Sequence, residues 1–264
     1  MKNLAQVVTI AGIDSSGGAG ANADLKTFQN QMVYAASIIT GLTAQNTYGV
    51  QAILPTSAHF IAEQFNSVFD DLDIKAAKTG ALFDLATAQA VITGLEKNSV
   101  KNLVVDPVMV AKGGAKLLAD EAINLIKDNL FPLAELITPN LTEAAVLLGQ
   151  EIETDADMVE ALHLLQAMGA TNVLIKGGHG KGNIISDALL TKDGQVIYYK
   201  APRIDTKRTH GTGDTLSAYI AAGLAKGKSL EVIMPTAKEF MNRAIGDGIK
   251  IGHGHGPLNH WVNG

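Results

Sequence analysis

Short apolar runs alternate with longer stretches of helical period from one end of the chain to the other. Val7 to Ala11 reads as a buried strand, and a glycine-rich turn and a helix follow it. Tyr34 to Thr40 predicts a second strand. Ser57 to Leu72 predicts a helix, because Phe60, Ile61, Phe65, Val68, Phe69 and Leu72 recur at helical spacing. Ile74 to Lys78 predicts a strand, Asp84 to Leu95 a helix, Asn102 to Val105 a strand and Ala115 to Leu130 a helix. Leu136 to Thr138 is a short strand, and Glu143 begins the next helix. Asp155 to Met168 carries Val159, Leu162, Leu165 and Met168 on one helical face, and Gly169 suits its C-terminal stop. Val173 to Ile175 predicts a strand. Ser186 to Thr191 and Gln195 to Lys200 flank the turn Lys192-Asp193-Gly194, which makes them an antiparallel hairpin at one edge of a sheet. Helical period resumes at Leu216, Tyr219, Ile220 and Leu224, and a last helix is predicted from Leu230 to Lys250. The alternation predicts a single α/β domain over residues 1–264: a doubly wound, largely parallel sheet flanked by helices, with a small antiparallel edge hairpin.

Composition narrows what such a domain does. Hydrophobic residues are 47% of the 264, enough for a sizeable core, but aromatics are only 5%. The core is therefore built from Ala, Val, Ile and Leu. A net charge of −5 without a long basic run argues against nucleic acid or an anionic membrane as partner. The absence of cysteine excludes disulfides, thiolate zinc sites and a thiol nucleophile, and it fits a cytoplasmic location. Met1 to Gln6 carries one charge, and the apolar run after it is broken by Gly12 and Asp14, too early for a signal peptide. No apolar stretch approaches the ~18 residues of a membrane span.

The chemistry concentrates where strands or turns end in glycine and small polar residues. In Thr209-His210-Gly211-Thr212-Gly213-Asp214 two glycines precede a helix, so backbone N–H groups and the helix dipole converge on one spot suited to a phosphate. Asp214 sits where that helix should start, either as a plain N-cap or as a base beside the phosphate. Gly12 to Asp24 is a glycine-rich strand-to-helix turn of neither dinucleotide nor P-loop spacing; Asn22 and Asp24 are also ordinary first-turn residues. Gly41 to Gly49 is a polar loop whose Gln45 and Asn46 amides can read the donors and acceptors of a heterocycle. Asp106, at a strand end and fixed by Pro107, is placed for metal or phosphate chemistry. Asn140 and Glu143 are either a cap with an acidic first turn or a polar pair facing a magnesium-bound phosphate. Lys176, before Gly177 and Gly178, can meet a phosphate as a point charge. Other patterns carry less. Gly223 to Ser229 imitates a Walker loop but is one residue short and follows a helix. The glycine-spaced His253, His255 and His260 fix no tetrahedral zinc geometry, and His59 and His163 lie within helices.

Taken together, these motifs resemble the ribokinase-like superfamily, and within it the hydroxymethylpyrimidine/phosphomethylpyrimidine kinases of thiamin biosynthesis. The resemblance rests on Ala11 to Gly20 with Ala23 to Thr27, on Ala44-Gln45-Asn46-Thr47, on Asp106-Pro107-Val108-Met109, and on Thr138-Pro139-Asn140 with Glu143. Lys176 to His179, Thr209 to Gly213 and the ending Gly252 to His260 complete it, in order and over nearly the whole chain. It implies phosphorylation of 4-amino-5-hydroxymethyl-2-methylpyrimidine and its monophosphate, with ATP and Mg2+. It further implies that Asp24, Gln45, Gly12, Ala81 and Val108 bind the pyrimidine, and that Asn140, Lys176, Thr209, Gly211, Thr212 and Gly213 bind the nucleotide. Asp106 and Glu143 would face the metal, and Asp214, Gly211, Gly213 and Lys176 would carry catalysis. A homodimer is expected. Two positions depart from the family pattern. Asp214 stands where the family usually has cysteine, as in the sugar and nucleoside kinases of the wider superfamily. Ala81 stands where the family usually has methionine, which widens one pocket wall unless another side chain fills it. Pyridoxal kinase is the alternative within the same branch, and a non-catalytic ligand sensor on this scaffold is a third reading.

Overall fold

A computed structural model of the chain describes residues 4–111, 113–179 and 182–262. Met1 to Asn3, the start of the N-terminal segment read above, and Gly180, which follows the motif Lys176 to His179, lie outside the described residues. β1 (Gln6–Asp14) alternates Val8 and Ile10 toward one face with Val7 toward the other, and both faces are covered, so the run is apolar throughout. α1 (Gly20–Asn30) leads to β2 (Tyr34–Asn46), which is longer than its apolar start suggests. The extra length pairs antiparallel with β3 (Gly49–Pro55), so the predicted polar loop is a hairpin instead. After α2 (Ala58–Phe69), β4 (Ile74–Thr79), α3 (Leu85–Lys97) and β5 (Leu103–Val105), the chain does not enter a helix at Ala115. Leu117 N–H donates to Met109 O at 2.8 Å and Ala119 N–H to Phe83 O at 2.9 Å, which keeps this stretch extended along the strand ends. α4 (Asp120–Leu125) begins only then and widens into one π-type turn, Ile126–Leu130.

β6 (Leu136–Ile137) precedes α5 (Leu141–Leu148), which starts in a reciprocal capping box between Asn140 and Glu143 and ends at left-handed Gly149. α6 (Asp155–Gln166), β7 (Asn172–Ile175), β8 (Ile184–Leu190) and β9 (Val196–Pro202) follow. α7 (Thr212–Ala225) and α8 (Leu230–Gly246) close the fold. The sheet order is β3-β2-β1-β4-β5-β6-β7-β8-β9. The six strands from β2 to β7 in that order are parallel; β3 at one edge and β8 and β9 at the other are antiparallel. The single edge hairpin expected from sequence thus has a counterpart at the opposite edge. α1, α7 and α8 pack on one face of the sheet and α2 to α6 on the other. The Walker-like Gly223 to Ser229 is the end of α7 and the turn to α8, as its position after a helix suggested.

Candidate active site

Crossovers leave β1 toward β2 on one side and β4 on the other, so the carboxyl ends of β1 and β4 part around a crevice. A cavity of about 560 Å³ opens there. Gly12, Gln45, Ala81 and Val108 line it, as do Asp106, Asn140, Glu143 and Lys176. Thr209, Gly211, Thr212, Gly213 and Asp214 form a further part of the wall. Among the residues expected at the site, Asp24 alone stands off that wall.

The anion-binding loop is built by Gly211. It caps α7 in the left-handed conformation, φ 83°, and a Cβ there would lie 2.0 Å from the Gly18 carbonyl oxygen. The first-turn N–H groups of α7 have no partner within the helix and face the cavity end of the dipole. Because Gly211 is the cap, Asp214 is the third helical residue and not the N-cap that one reading of the sequence made it. Its carboxylate is used otherwise. Asp214 Oδ1 accepts from Lys78 Nζ at 3.0 Å. Lys78, at the end of β4, is wholly buried and also donates to Asp24 Oδ1 at 2.9 Å and Oδ2 at 3.0 Å. Thr9 Oγ1 adds a bond to Asp24 Oδ2 at 2.5 Å. Asp24 is therefore buried beneath the cavity with its carboxylate on Lys78, and it forms no part of the cavity wall that was expected of it as a residue binding the base.

Two carboxylates and one ammonium share this buried cluster. Burial pushes Asp214 up, but the charge and hydrogen bond of Lys78, the Gly20 N–H and the His210 charge together outweigh it and hold Asp214 below the ordinary carboxylate value. Burial lowers Lys78, and Asp214 and Asp24 together more than reverse that. Asp24 is the group that yields. Burial, helped by the Asp214 charge, raises it to about 7 despite Lys78.

A second charge cluster lines the same cavity. Lys176 Nζ donates to Asp106 Oδ1 at 2.7 Å and lies 4.0 Å from Glu143 Oε2. Thr138 Oγ1 also reaches Asp106 Oδ1, at 3.3 Å. Glu143 Oε2 accepts from the Asn140 N–H at 2.8 Å while Asn140 Oδ1 accepts from the Glu143 N–H at 2.9 Å, so the pair forms the expected cap, and both residues also line the cavity. Burial raises Glu143 to about 7 against the pull of Lys176. Among the described residues no group of three or more His, Cys, Asp or Glu is arranged to hold a metal ion. Two carboxylates with a lysine between them fit a magnesium ion that is ligated mainly by phosphates and water, the usual arrangement for a nucleotide-bound ion.

The Gln45 end of the cavity is held by a network the sequence did not reveal. Asp14 accepts from the N–H groups of Ser16, Gly18 and Ala19 and from Ser16 Oγ, which folds the glycine-rich turn around it. His210 Nε2 lies 2.7 Å from Asp14 Oδ2 and 3.2 Å from Gln45 Nε2. Burial acts upward on Asp14, but His210 and the Ser16 bonds bring it down to about 2. Thr43 Oγ1 supports the Gln45 carbonyl at 3.0 Å. The C-terminal segment clasps this end: His255 N–H donates to Thr47 O at 2.7 Å, and His260 Nε2 meets Thr215 Oγ1 at 2.9 Å. Lys78 was the residue missed outright. Its only trace in the sequence is the second of two lysines in the short strand Ile74–Thr79, two residues before Gly80.

The sequence matches the phosphomethylpyrimidine kinase family model over residues 14–259. It is 46% identical to a hydroxymethylpyrimidine/phosphomethylpyrimidine kinase of Haemophilus influenzae, covering 99% of this chain and 98% of the relative. Identity to the Escherichia coli enzyme of the same description is 43%, with 99% and 98% covered. Among solved structures, the ADP complex of Bacillus subtilis pyridoxal kinase superposes with a TM-score of 0.90 at 37% identity, covering 98% of each chain. A phosphomethylpyrimidine kinase from Clostridium difficile superposes with a TM-score of 0.80 at 37% identity, covering 90% of this chain and 98% of that one.

Proposed function

The chain belongs to the phosphomethylpyrimidine kinase family, and on that basis we propose that it phosphorylates 4-amino-5-hydroxymethyl-2-methylpyrimidine and then its monophosphate, using ATP, in thiamin biosynthesis. The observation that carries the chemistry is a carboxylate kept ionised by a buried lysine, on a cavity wall beside a helix N-terminus. Phosphoryl transfer demands alignment and charge stabilisation more than covalent chemistry. Asp214 takes the proton of the substrate hydroxymethyl group as that oxygen bonds to the γ-phosphorus and the bridging oxygen leaves with ADP. The amides of Gly211 to Asp214 receive the charge that develops on the transferred group. Lys176 pairs with phosphate oxygens, and Thr209, Thr212 and Gly213 complete the phosphate wall. Gln45 reads the edge of the pyrimidine, oriented by Thr43 and His210, with Gly12, Ala81 and Val108 around the ring. Asp106, Glu143 and Asn140 would hold a magnesium ion carried in with the nucleotide, which would supply neutralisation of phosphate charge.

The likeness to pyridoxal kinase at a TM-score of 0.90 favours pyridoxal as a second alcohol to be tried. Product analysis with purified protein, ATP and each alcohol in turn decides the matter. Formation of the pyrimidine monophosphate and then diphosphate is the expected result; phosphorylation of pyridoxal alone would move the assignment to the alternative, and no product from either would end it. Among the described residues no helix is long and apolar enough to cross a membrane. Leu42, Ile53 and Leu54 on the β2–β3 hairpin are exposed and apolar, which supports the expected homodimer; sedimentation of the purified protein checks it.

A further inference from the structure

Phe83 combines backbone strain with a place on the cavity wall. Its φ is 59°, in the left-handed region that a bulky L residue rarely adopts. The conformation does not serve an exposed turn, because the side chain is buried, with 7% of the residue exposed. Two strands make room for its ring. A Cβ at Gly12 of β1 would lie 2.5 Å from Phe83 Cζ, and one at Gly41 of β2 would lie 2.6 Å from Cε2. Alanine at either position collides with the ring, so Gly12 serves Phe83 as well as the cavity. The backbone is pinned from the other side, where Phe83 O accepts from Ala119 N–H at 2.9 Å and residue 83 bridges to Leu118. Strain that the surroundings over-determine at a cavity points to a use for the group it positions. Ala81, two residues earlier, gives the wall only a methyl group, while Phe83 brings a flat ring. An aromatic ring packs well on a flat heterocycle and limits what substituents fit beside it.

We propose that Phe83 is a specificity-determining residue, whose ring closes the heterocycle end of the cavity in the space that Ala81 leaves and sets how heavily substituted a hydroxymethyl-bearing ring can enter. The proposal rests on the kinase reading above. Its test compares wild type with Phe83→Ala and Phe83→Leu, using the pyrimidine alcohol and pyridoxal, which carries one ring substituent more. Steady-state rates, melting curves and calorimetric binding of each alcohol without ATP are the measurements. In Phe83→Ala the ratio of kcat/KM for pyridoxal over the pyrimidine should rise by roughly 10–100-fold, the range for a changed apolar pocket. Most of the change should come from a higher KM for the pyrimidine. Phe83→Leu, which keeps apolar bulk but loses the flat face, should lie between, and it carries the test if the alanine variant fails to fold. A ring that matters only for packing would lower the melting temperature and slow both reactions alike. A ratio within about twofold of wild type in an active variant, far below the range expected for a changed pocket, therefore overturns the proposal alone. Wild-type protein that neither binds nor phosphorylates either alcohol overturns the kinase reading and this proposal with it.

Discussion

Replacing Lys78 by methionine removes the one ammonium between two buried carboxylates, at 2.9 to 3.0 Å from each. With an effective dielectric of about 20, opposite unit charges ~4 Å apart attract by ~4 kcal/mol. At ~1.4 kcal/mol per pH unit, losing that attraction raises the Asp214 pKa by about 3 units. Its value then moves upward from below the ordinary 3.8. A base that keeps its proton to a higher pH is available in fewer molecules on the acid side. Turnover of Lys78→Met should fall on the acid side of neutrality and recover as the pH rises, with the acid limb of kcat/KM displaced upward by about 2–3 units. Asp24→Asn gives the opposite sign, because it removes a like charge from Asp214 and leaves Lys78 undivided. His210, Asp106, Lys176, Glu143 and His260 also feel or supply charge here, and both variants keep them. Stripping the partner from buried charges costs about 3–5 kcal/mol, so Lys78→Met should melt well below wild type. The double variant Asp24→Asn/Lys78→Met removes one of the stranded carboxylates and should regain part of that stability while keeping the shifted limb. A folded Lys78→Met protein whose acid limb stays within about half a unit of wild type would refute the electrostatic role of Lys78, since even a strongly screened pair should exceed that.

Asp214→Asn leaves the Gly211 cap intact and Lys78 paired one-to-one with Asp24, so its melting temperature should change little while turnover falls by roughly 10²–10⁴-fold; near-normal turnover would take Asp214 out of the mechanism. Gln45→Ala should weaken pyrimidine binding in calorimetry and leave ATP binding nearly unaltered, whereas unchanged pyrimidine affinity would misplace the base. Folded-state stability should fall as pH rises from about 4 to 7. Asp24 is raised from 3.8 to about 7 and Glu143 from 4.5 to about 7, so the folded chain holds protons the unfolded chain has released. Their contribution is complete below the unfolded values and is lost as pH passes through about 7. His260, lowered from 6.5 to about 4, acts oppositely within that window and offsets part of the decline. Asp24→Asn should flatten the decline in a melting series, and an undiminished slope would count against the buried position of the Asp24 titration.

The parallel core was legible because strands buried on both faces read as unbroken apolar runs, as Val7 to Ala11 and Val173 to Ile175 do. β3 was not, because Gln51 to Pro55 are exposed and carry neither alternation nor a bounding turn of familiar type. Ala115 to Ala119 has helical composition but is drawn into extended pairing with Met109 and Phe83, contacts that local propensity does not encode. The place of Gly211, Gly213, Lys176 and Glu143 on the cavity wall was legible because each follows a strand or opens a helix at short range. The Lys78 cluster was not, since its partners lie 54 residues before and 136 residues after it in the chain.

That hidden cluster changes why Asp214 is ionised. The sequence offered the dipole of α7, which at a helix terminus is worth about 0.3–1 kcal/mol to a carboxylate. Lys78 brings a full charge to 3.0 Å, an attraction several times larger by the estimate above. A pair of Asp24 and Lys78 alone is neutral and would ask nothing of a thiol or any other uncharged group at position 214. An aspartate there makes the buried set one negative charge over balance, and the excess falls on the carboxylate with no route to solvent. Asp24 is wholly buried, whereas the Asp214 side chain keeps 14% of its surface exposed at the cavity. The proton preference therefore goes to Asp24, raised to about 7, while Asp214 stays below the ordinary value. Asp24 thus takes the proton that the cluster would otherwise place on Asp214, and so keeps the carboxylate at the cavity wall in its charged form.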